Sequence, residues 1–139
     1  MTTTLFQPQF LRVGAAAALA LSLSACATFG GGTPEEIVAK RAQAYWDARI
    51  KGDVAKTRSF TNEAFRKTVD EKKFARNNMG TFVQSVEVSS VTCEPEKCEV
   101  RLNLKASPPI PGVKMGTITT GSAQTWLLED GQWNLYLEP

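Results

Sequence analysis

Three side chains in the first third of the chain are spaced to act together. Arg41, Tyr45 and Arg49 recur at every fourth position, so a helix would stack them along one stripe. Two guanidiniums flanking a phenol suit a small carboxylate-bearing or otherwise anionic ligand, which Arg grips with a planar fork of donors. Tyr45, Trp126 and Tyr136 are the candidate aromatic walls of such a pocket, although Trp126, like Trp133, also suits the core of the sheet. A structural alternative stands beside this one. Arg is expensive to bury unpaired, so Arg41 and Arg49 would meet carboxylates such as Glu87 or Glu99, or carry their heads out to the rim. Asp47 neighbours Trp46 and invites a reading as a general base, but the helical projection sets it on the wet face beside Lys51. Asp53 suits a helix cap better than an acid, and Lys72-Lys73 suits a solvated face. The chain has no His. That excludes Ser-His-Asp and Cys-His catalysis, zinc sites built on His, and imidazole pH switching. No catalytic residue, metal site or cofactor motif is identified.

The stripe needs a helix, and the sequence supplies one. Thr33 can cap, Pro34 fits the first helical position, and Glu36 completes a capping box. Gly52 is a natural stop, so the helix is expected over 34–51. Val38, Ala42, Tyr45 and Trp46 form its apolar side, with Ile37, Ala44 and Ala48 beside them. On the wet side, Glu36 with Lys40 and Asp47 with Lys51 are spaced as i,i+4 ion pairs. Shorter helices are expected from Asp53 to about Phe60, near Thr61 with Ala64 and Phe65, and from a Thr68-Val69-Asp70-Glu71 start to about Asn77. Phe60, Phe65 and Phe74 are the core anchors of this half.

From Phe82 the period changes to two. Val86 and Val88 alternate with polar residues, and the pattern slips by one near Ser89-Ser90, which predicts a bulge. Cys98, Val100, Leu102 and Leu104 alternate cleanly. Residues 115–128 form a Thr-rich strand region. Asp130-Gly131 signals a tight hairpin, which sets Leu128 against Trp133 and Trp126 against Leu135. Residues 107–114 hold three prolines and read as a stiff, extended excursion. Helices followed by an antiparallel sheet give an α+β domain over 34–139. The chain is long enough for one domain. Its 16 Lys+Arg against 14 Asp+Glu leave no electrostatic footprint for nucleic acid.

The N-terminus reads as an address. Val13–Leu23 carries no charge and is too short to span a bilayer, but fits the apolar core of a secretory signal. Leu23-Ser24-Ala25-Cys26 follows it and resembles the lipobox of bacterial lipoproteins. The resemblance implies that residues 1–25 are removed and that Cys26 carries lipid. Two or more acyl chains anchor a protein stably. Ala27, in place of Asp, favours sorting to the outer membrane. Residues 26–33 are then the lipidated Cys and a Gly-rich tether, of which Ala27–Gly32 reaches at most about 20 Å. The membrane is therefore the expected first partner.

With Cys26 assigned to lipid, Cys93 and Cys98 remain. They flank Glu94-Pro95-Glu96-Lys97, a turn-like tetrapeptide between two predicted strands. Both thiols would face one side of the hairpin, and in an oxidising envelope compartment they are expected to form a disulfide. Two thiolates with no His leave a zinc site incomplete. A redox motif would show C-x-x-C at a helix start.

Ala44-Tyr45-Trp46-Asp47-Ala48-Arg49-Ile50-Lys51-Gly52-Asp53, then Phe60, Ala64-Phe65-Arg66 and Phe74, resemble the helical half of the NTF2-like (SnoaL-like, cystatin-like cone) superfamily. Trp126–Trp133 resembles its closing hairpin. The resemblance implies a long helix across a strongly curved sheet, with a pocket between them. It does not supply a mechanism, because the Asp-His pair of enzymatic members has no counterpart here. Three functions follow as expectations. The first is a lipid-anchored, non-catalytic module that binds an envelope protein partner or a small ligand. The second is a small periplasmic isomerase, dehydratase or hydrolase with a deep polar pocket and a shifted acid. The third is a subunit of an envelope assembly, such as a homodimer through the outer face of the sheet.

Overall fold

The computed structural model describes residues 31–113 and 116–139. The signal segment, Cys26 and the first four residues of the tether lie outside these residues, as do Lys114 and Met115. Four helices precede four strands: α1 (Pro34–Ile50), α2 (Val54–Ser59), α3 (Glu63–Thr68), α4 (Glu71–Asn78), β1 (Val83–Glu94), β2 (Lys97–Ala106), β3 (Ile118–Glu129) and β4 (Gln132–Leu135). The strands form one open antiparallel sheet in the order β1-β2-β3-β4. The α+β architecture read from the sequence is therefore present. Among the described residues no helix is long and apolar enough to cross a membrane.

α1 begins with the full capping box. The Thr33 hydroxyl accepts from the Glu36 N–H, and the Glu36 carboxylate accepts from the Thr33 N–H. That engagement overrides the expected Glu36–Lys40 pair. Asp47 likewise accepts from the Gln43 amide at 3.0 Å, and neither expected ion pair of α1 forms. A two-for-one exchange of backbone donors outweighs an exposed pair worth a few tenths of a kcal/mol. Val38, Ala42, Tyr45, Trp46 and Ala48 are buried, and α1 lies mainly against β1, with α2, β2 and β4 as lesser neighbours.

Beneath α1 the sheet presents Cys98, Val100, Leu102 and Leu104 from β2, with Trp126, Trp133 and Leu135. Fully burying one such large apolar side chain contributes about 1.5–3 kcal/mol. A second, smaller core joins Phe65, Val69 and Phe74, whose two rings meet edge-on at 6.1 Å. Leu137 packs against both cores. The starts of α2 and α4 are capped by Asp53 and Asp70. The expected Thr68 cap is thus displaced to Asp70, because Thr68 still belongs to α3 and donates back to the Ala64 carbonyl.

In the sheet, the register shift between Val88 and Ser90 is the bulge expected near Ser89-Ser90; a second shift lies between Val83 and Ser85. Cys93 opposes Cys98, with Pro95-Glu96 as the turn, and their sulfurs are 2.03 Å apart. Asp130 and Gly131 both have positive φ, 48° and 78°, as a type I′ hairpin requires. The expected partners Trp126–Leu135 and Leu128–Trp133 follow. The proline-rich segment is not a continuous extended excursion. It closes at Ile110-Pro111-Gly112-Val113, where the Val113 N–H donates to the Ile110 carbonyl at 3.1 Å. Pro at the first central position and Gly112 at φ 78° in the second define a type II-like turn.

β4 is held on its outer side by the helical half. The Leu135 N–H donates to the Phe60 carbonyl at 2.7 Å, and the Asn62 N–H donates to the Leu135 carbonyl at 2.9 Å. The Asn62 side chain then accepts from the Leu137 N–H at 2.9 Å. With Asn62 so occupied, α3 is capped from a distance: Glu129 Oε2 accepts from the Glu63 N–H at 3.0 Å and from the Asn134 amide at 2.9 Å.

Candidate functional site

The Arg41–Tyr45–Arg49 stripe exists, but its members do different work. Arg41 points toward the β3–β4 turn. Its Nε donates to the Trp133 carbonyl at 2.6 Å, and its guanidinium stacks 5.1 Å from the Phe60 ring centre. With its amide oxygen turned toward this group, Gln132 accepts from both Arg41 Nη atoms at 3.1 Å. Burial, and secondarily the nearby Arg66 charge, lower the Arg41 pKa from its ordinary value. Arg41 is therefore a clamp on the closing hairpin, not a ligand donor. Its partners are carbonyl oxygens, not Glu87 or Glu99. Backbone acceptors satisfy the guanidinium without burying a second charge.

Arg49 is placed otherwise. Its guanidinium lies 4.8 Å from the Trp46 ring centre, and its Nη1 donates to the Tyr45 hydroxyl at 3.4 Å. Neither Glu87 nor Glu99 pairs with it, and no carboxylate forms a salt bridge with it among the described residues. Its Nε is buried without a hydrogen-bond partner, and so is the indole N–H of Trp46, a residue only 6 % exposed. Burial raises the Tyr45 phenol above its ordinary pKa, although Arg49 pulls it back by charge and hydrogen bond. The phenol is therefore neutral at physiological pH.

These groups line a cleft of about 400 Å³. Tyr45, Trp46 and Arg49 form the helix side, Ser122–Thr125 of β3 the floor, and Leu135–Leu137 the far wall. The cleft opens because β4 is short: Tyr136 donates its N–H to the Thr125 carbonyl at 2.8 Å, and the chain then leaves β3 toward Asn62. Of the expected pocket residues, Tyr45, Arg49 and Tyr136 come together here. Trp126 does not. It is 0 % exposed, part of the core beneath α1, and its ring is a strut and not a wall. The Trp46 indole joins the cleft in place of Trp126. Its signal was the i,i+3 spacing to Arg49, which puts a cation over an indole on a helix surface.

Among the described residues no Asp or Glu lines this cleft. The acids considered as general bases are elsewhere: Asp47 accepts from Gln43 on the exposed face and Asp53 caps α2. A larger but shallow depression of about 590 Å³ runs along the Pro95 turn and β3. Three carboxylates, Glu94, Glu96 and Glu129, and the single cation Lys97 border it, so it offers no matching set of donors. Among the described residues no group of His, Cys, Asp and Glu is arranged to hold a metal ion.

Comparison with other proteins bears on the fold alone. No protein-family model matches the chain, and no curated protein sequence matches it. Solved structures do. A SEC-C motif containing protein from Rhodopseudomonas palustris aligns over 70 % of this chain and 73 % of its own, with TM-score 0.56 at 9 % identity. Another SEC-C motif containing protein, from Psychrobacter arcticus, aligns over 80 % of this chain and 64 % of its own, with TM-score 0.56 at 14 % identity. An NTF2-like transpeptidase from Campylobacter jejuni aligns over 71 % of this chain and 96 % of its own, with TM-score 0.49 at 13 % identity. The chain thus shares the α+β fold of the first two across most of its folded part.

Proposed function

We propose that this chain is a lipid-anchored protein of the bacterial envelope, held at the outer membrane through Cys26 and facing the periplasm, whose NTF2-like module binds a small anionic ligand without transforming it. One observation carries the binding half: among the described residues Arg49 has no carboxylate partner in its open cleft, and the neighbouring Trp46 indole N–H has no hydrogen-bond acceptor. A lone cation with unused donors in a partly desolvated site attracts a carboxylate more strongly than it would in water. Tyr45 and Tyr136 give the ligand's apolar part a surface. The described lining includes no Asp, Glu, His, Lys or Cys, the groups that most often serve general acid–base chemistry. That disfavours the isomerase, dehydratase or hydrolase reading. Support for the address comes from Leu23-Ser24-Ala25-Cys26 behind an uncharged segment, with Ala27 after it.

The two halves are tested separately. A panel of small mono- and dicarboxylates is screened against the purified chain by thermal shift, then by titration with NMR of the indole N–H signals. At least one compound should shift the Trp46 indole, and Arg49→Met should weaken its binding at least tenfold. If no carboxylate moves that signal at millimolar concentration, the anion reading fails. Labelling cells with a fatty-acid analogue tests the anchor. Incorporation should be lost in Cys26→Ser, and a parent chain without acyl mass refutes the envelope assignment.

A further inference from the structure

The same shortness of β4 that opens the cleft also leaves half of β3 without a neighbour. β4 pairs with β3 only from Trp126 to Glu129, and Tyr136 adds one hydrogen bond to Thr125. Since Thr125 turns its carbonyl toward the β4 side, the alternation of an antiparallel ladder turns Ala123, Gly121 and Thr119 the same way. Among the described residues nothing accepts from or donates to the backbone of these three on that side. The stretch Ile118–Ala123 is mostly exposed.

An open edge of this kind is a template for another strand, and proteins usually blunt it with charge, proline or bulges. The opposite edge, β1, carries two bulges. The β3 edge has none of these devices. Ile118-Thr119-Thr120-Gly121-Ser122-Ala123-Gln124 has no charge and no proline, and its pairing with β2 runs without a register shift.

We propose that this edge pairs with the same edge of a second copy of the chain, antiparallel about a two-fold axis at Gly121, to make one continuous sheet across a homodimer. The sequence of the strand selects that occupant. A two-fold strand pair sets each residue against its mirror position: Gly121 meets Gly121, Thr120 meets Ser122, Thr119 meets Ala123 and Ile118 meets Gln124. Only the residue on the axis meets its own copy, and there the strand has an uncharged glycine. Thr opposite Ser is a favourable cross-strand pair. Because the N–H and C=O of Gly121, Thr119 and Ala123 all face the edge, every one of them finds a partner in this register. The length also fits. The next pair outward would set Thr117 against Thr125, whose carbonyl Tyr136 already occupies, so each strand stops where the other copy's β4 begins. At Gly121 a Cβ would meet nothing within 4 Å, so the axis position is open in the single chain. Ile118, 40 % exposed, comes to lie beside Gln124 of the other copy, on the Trp126 side of the sheet. It thereby supplies the missing side of the cleft. The proposal stands without the ligand, because the edge is unpaired whether or not the cleft is filled.

Cysteine scanning of the full chain, purified in detergent and oxidised with copper phenanthroline, tests the axis. Across a hydrogen-bonded antiparallel pair, two Cα atoms lie about 5.5 Å apart, within the range a disulfide spans. Gly121→Cys should therefore cross-link to a dimer. Thr119→Cys and Ala123→Cys, each about 13 Å from its own mate, should not, and the parent chain reports any background from its own cysteines. Sedimentation equilibrium should find two protomers for the parent and one for Gly121→Lys, with unchanged far-UV circular dichroism. A monomeric parent, cross-linking equal at the three positions, or a dimer that survives Gly121→Lys overturns the proposal. The last result would move the interface to the sheet's outer face or to another surface.

Discussion

Arg58 gives the sharpest test of how the helical half is held together. It lies on α2, and its guanidinium reaches across to the far end of α3. Nη2 donates to the Arg66 carbonyl at 2.5 Å and to the Val69 carbonyl at 2.8 Å, while Nε donates to Val69 at 3.1 Å. α3 is only 6 residues long, so most of its carbonyls lack an intrahelical donor. One charged side chain therefore satisfies two of the chain's most needy acceptors and ties α2 to the α3–α4 turn. A hydrogen bond to a charged group is worth about 1.5–3 kcal/mol. Taking the low end for each carbonyl, because the guanidinium is half-buried, Arg58→Met should destabilise the domain by about 3 kcal/mol. For a domain of this size that is a fall in Tm of roughly 12–20 °C. Met keeps the apolar stem and removes every donor. Arg58→Lys keeps one charged donor group and should recover about half of the loss, since a single ammonium cannot serve both carbonyls in the same geometry. Urea denaturation followed by circular dichroism and tryptophan fluorescence reads both variants. If Arg58→Met lies within about 0.5 kcal/mol of the parent, or if Lys restores it fully, the clamp is not what closes α3 and the argument fails.

Three further outcomes are expected. Reducing the Cys93–Cys98 bond should lower stability by roughly 2 kcal/mol, the chain-entropy value for so short a loop, and paired Cys→Ser substitution should match it; a change near zero would mean the Pro95 turn fixes the register unaided. The Tyr45 phenol has a folded-state pKa above its ordinary 10.0, so its contribution is complete below about pH 10 and lost as pH rises through the raised value. Stability measured at about pH 9 and pH 11 should therefore fall more for the parent than for Tyr45→Phe, and equal slopes would refute the burial argument. Asn62→Ala removes the acceptor of the Leu137 N–H and should lower stability by about 1–2 kcal/mol. It should also broaden the NMR signals of Tyr136 and Leu137 at the cleft wall, and an unchanged spectrum would show that β4 alone holds them.

The elements were legible where one local rule decides them. Thr33-Pro34-Glu35-Glu36 starts a helix because three independent preferences coincide there. Asp130-Gly131 makes its hairpin because both residues tolerate positive φ, and that turn alone fixes Trp126 against Leu135. The clean alternation of β2 states which side chains form the core. Expectations failed where two local partners competed for one group. Glu36 bonds to the backbone and not to Lys40, and Thr68 ends a helix while Asp70 starts the next. Nothing local reveals Arg58 or Glu129, which serve backbone groups 8–11 and 66 residues away. Their roles depend on how short helices settle on the sheet.

The site was legible as a composition but not as a place. Spacing put Arg41, Tyr45 and Arg49 on one stripe, yet that stripe, on a helix of 17 residues, crosses from the closed end of the sheet to the open one. Where β4 lies beneath it, Arg41 finds the Trp133 carbonyl and is used up in the fold. About two turns further along, β4 has ended, and Arg49 meets an indole face and no acceptor that neutralises it. The difference between a clamp and a candidate ligand donor is thus set by the length of one strand. Beyond Leu135 the chain is held from the outer side of β4, where Asn62 accepts from the Leu137 N–H. The cleft beside Arg49 and the bare edge at Gly121 are two consequences of the same early departure. Continuing β4 by two or three residues in the same register would set Leu137 and Glu138 against Gln124 and Ala123, laying chain along the cleft floor and taking the outermost backbone partner from a second copy while Gly121 stayed bare.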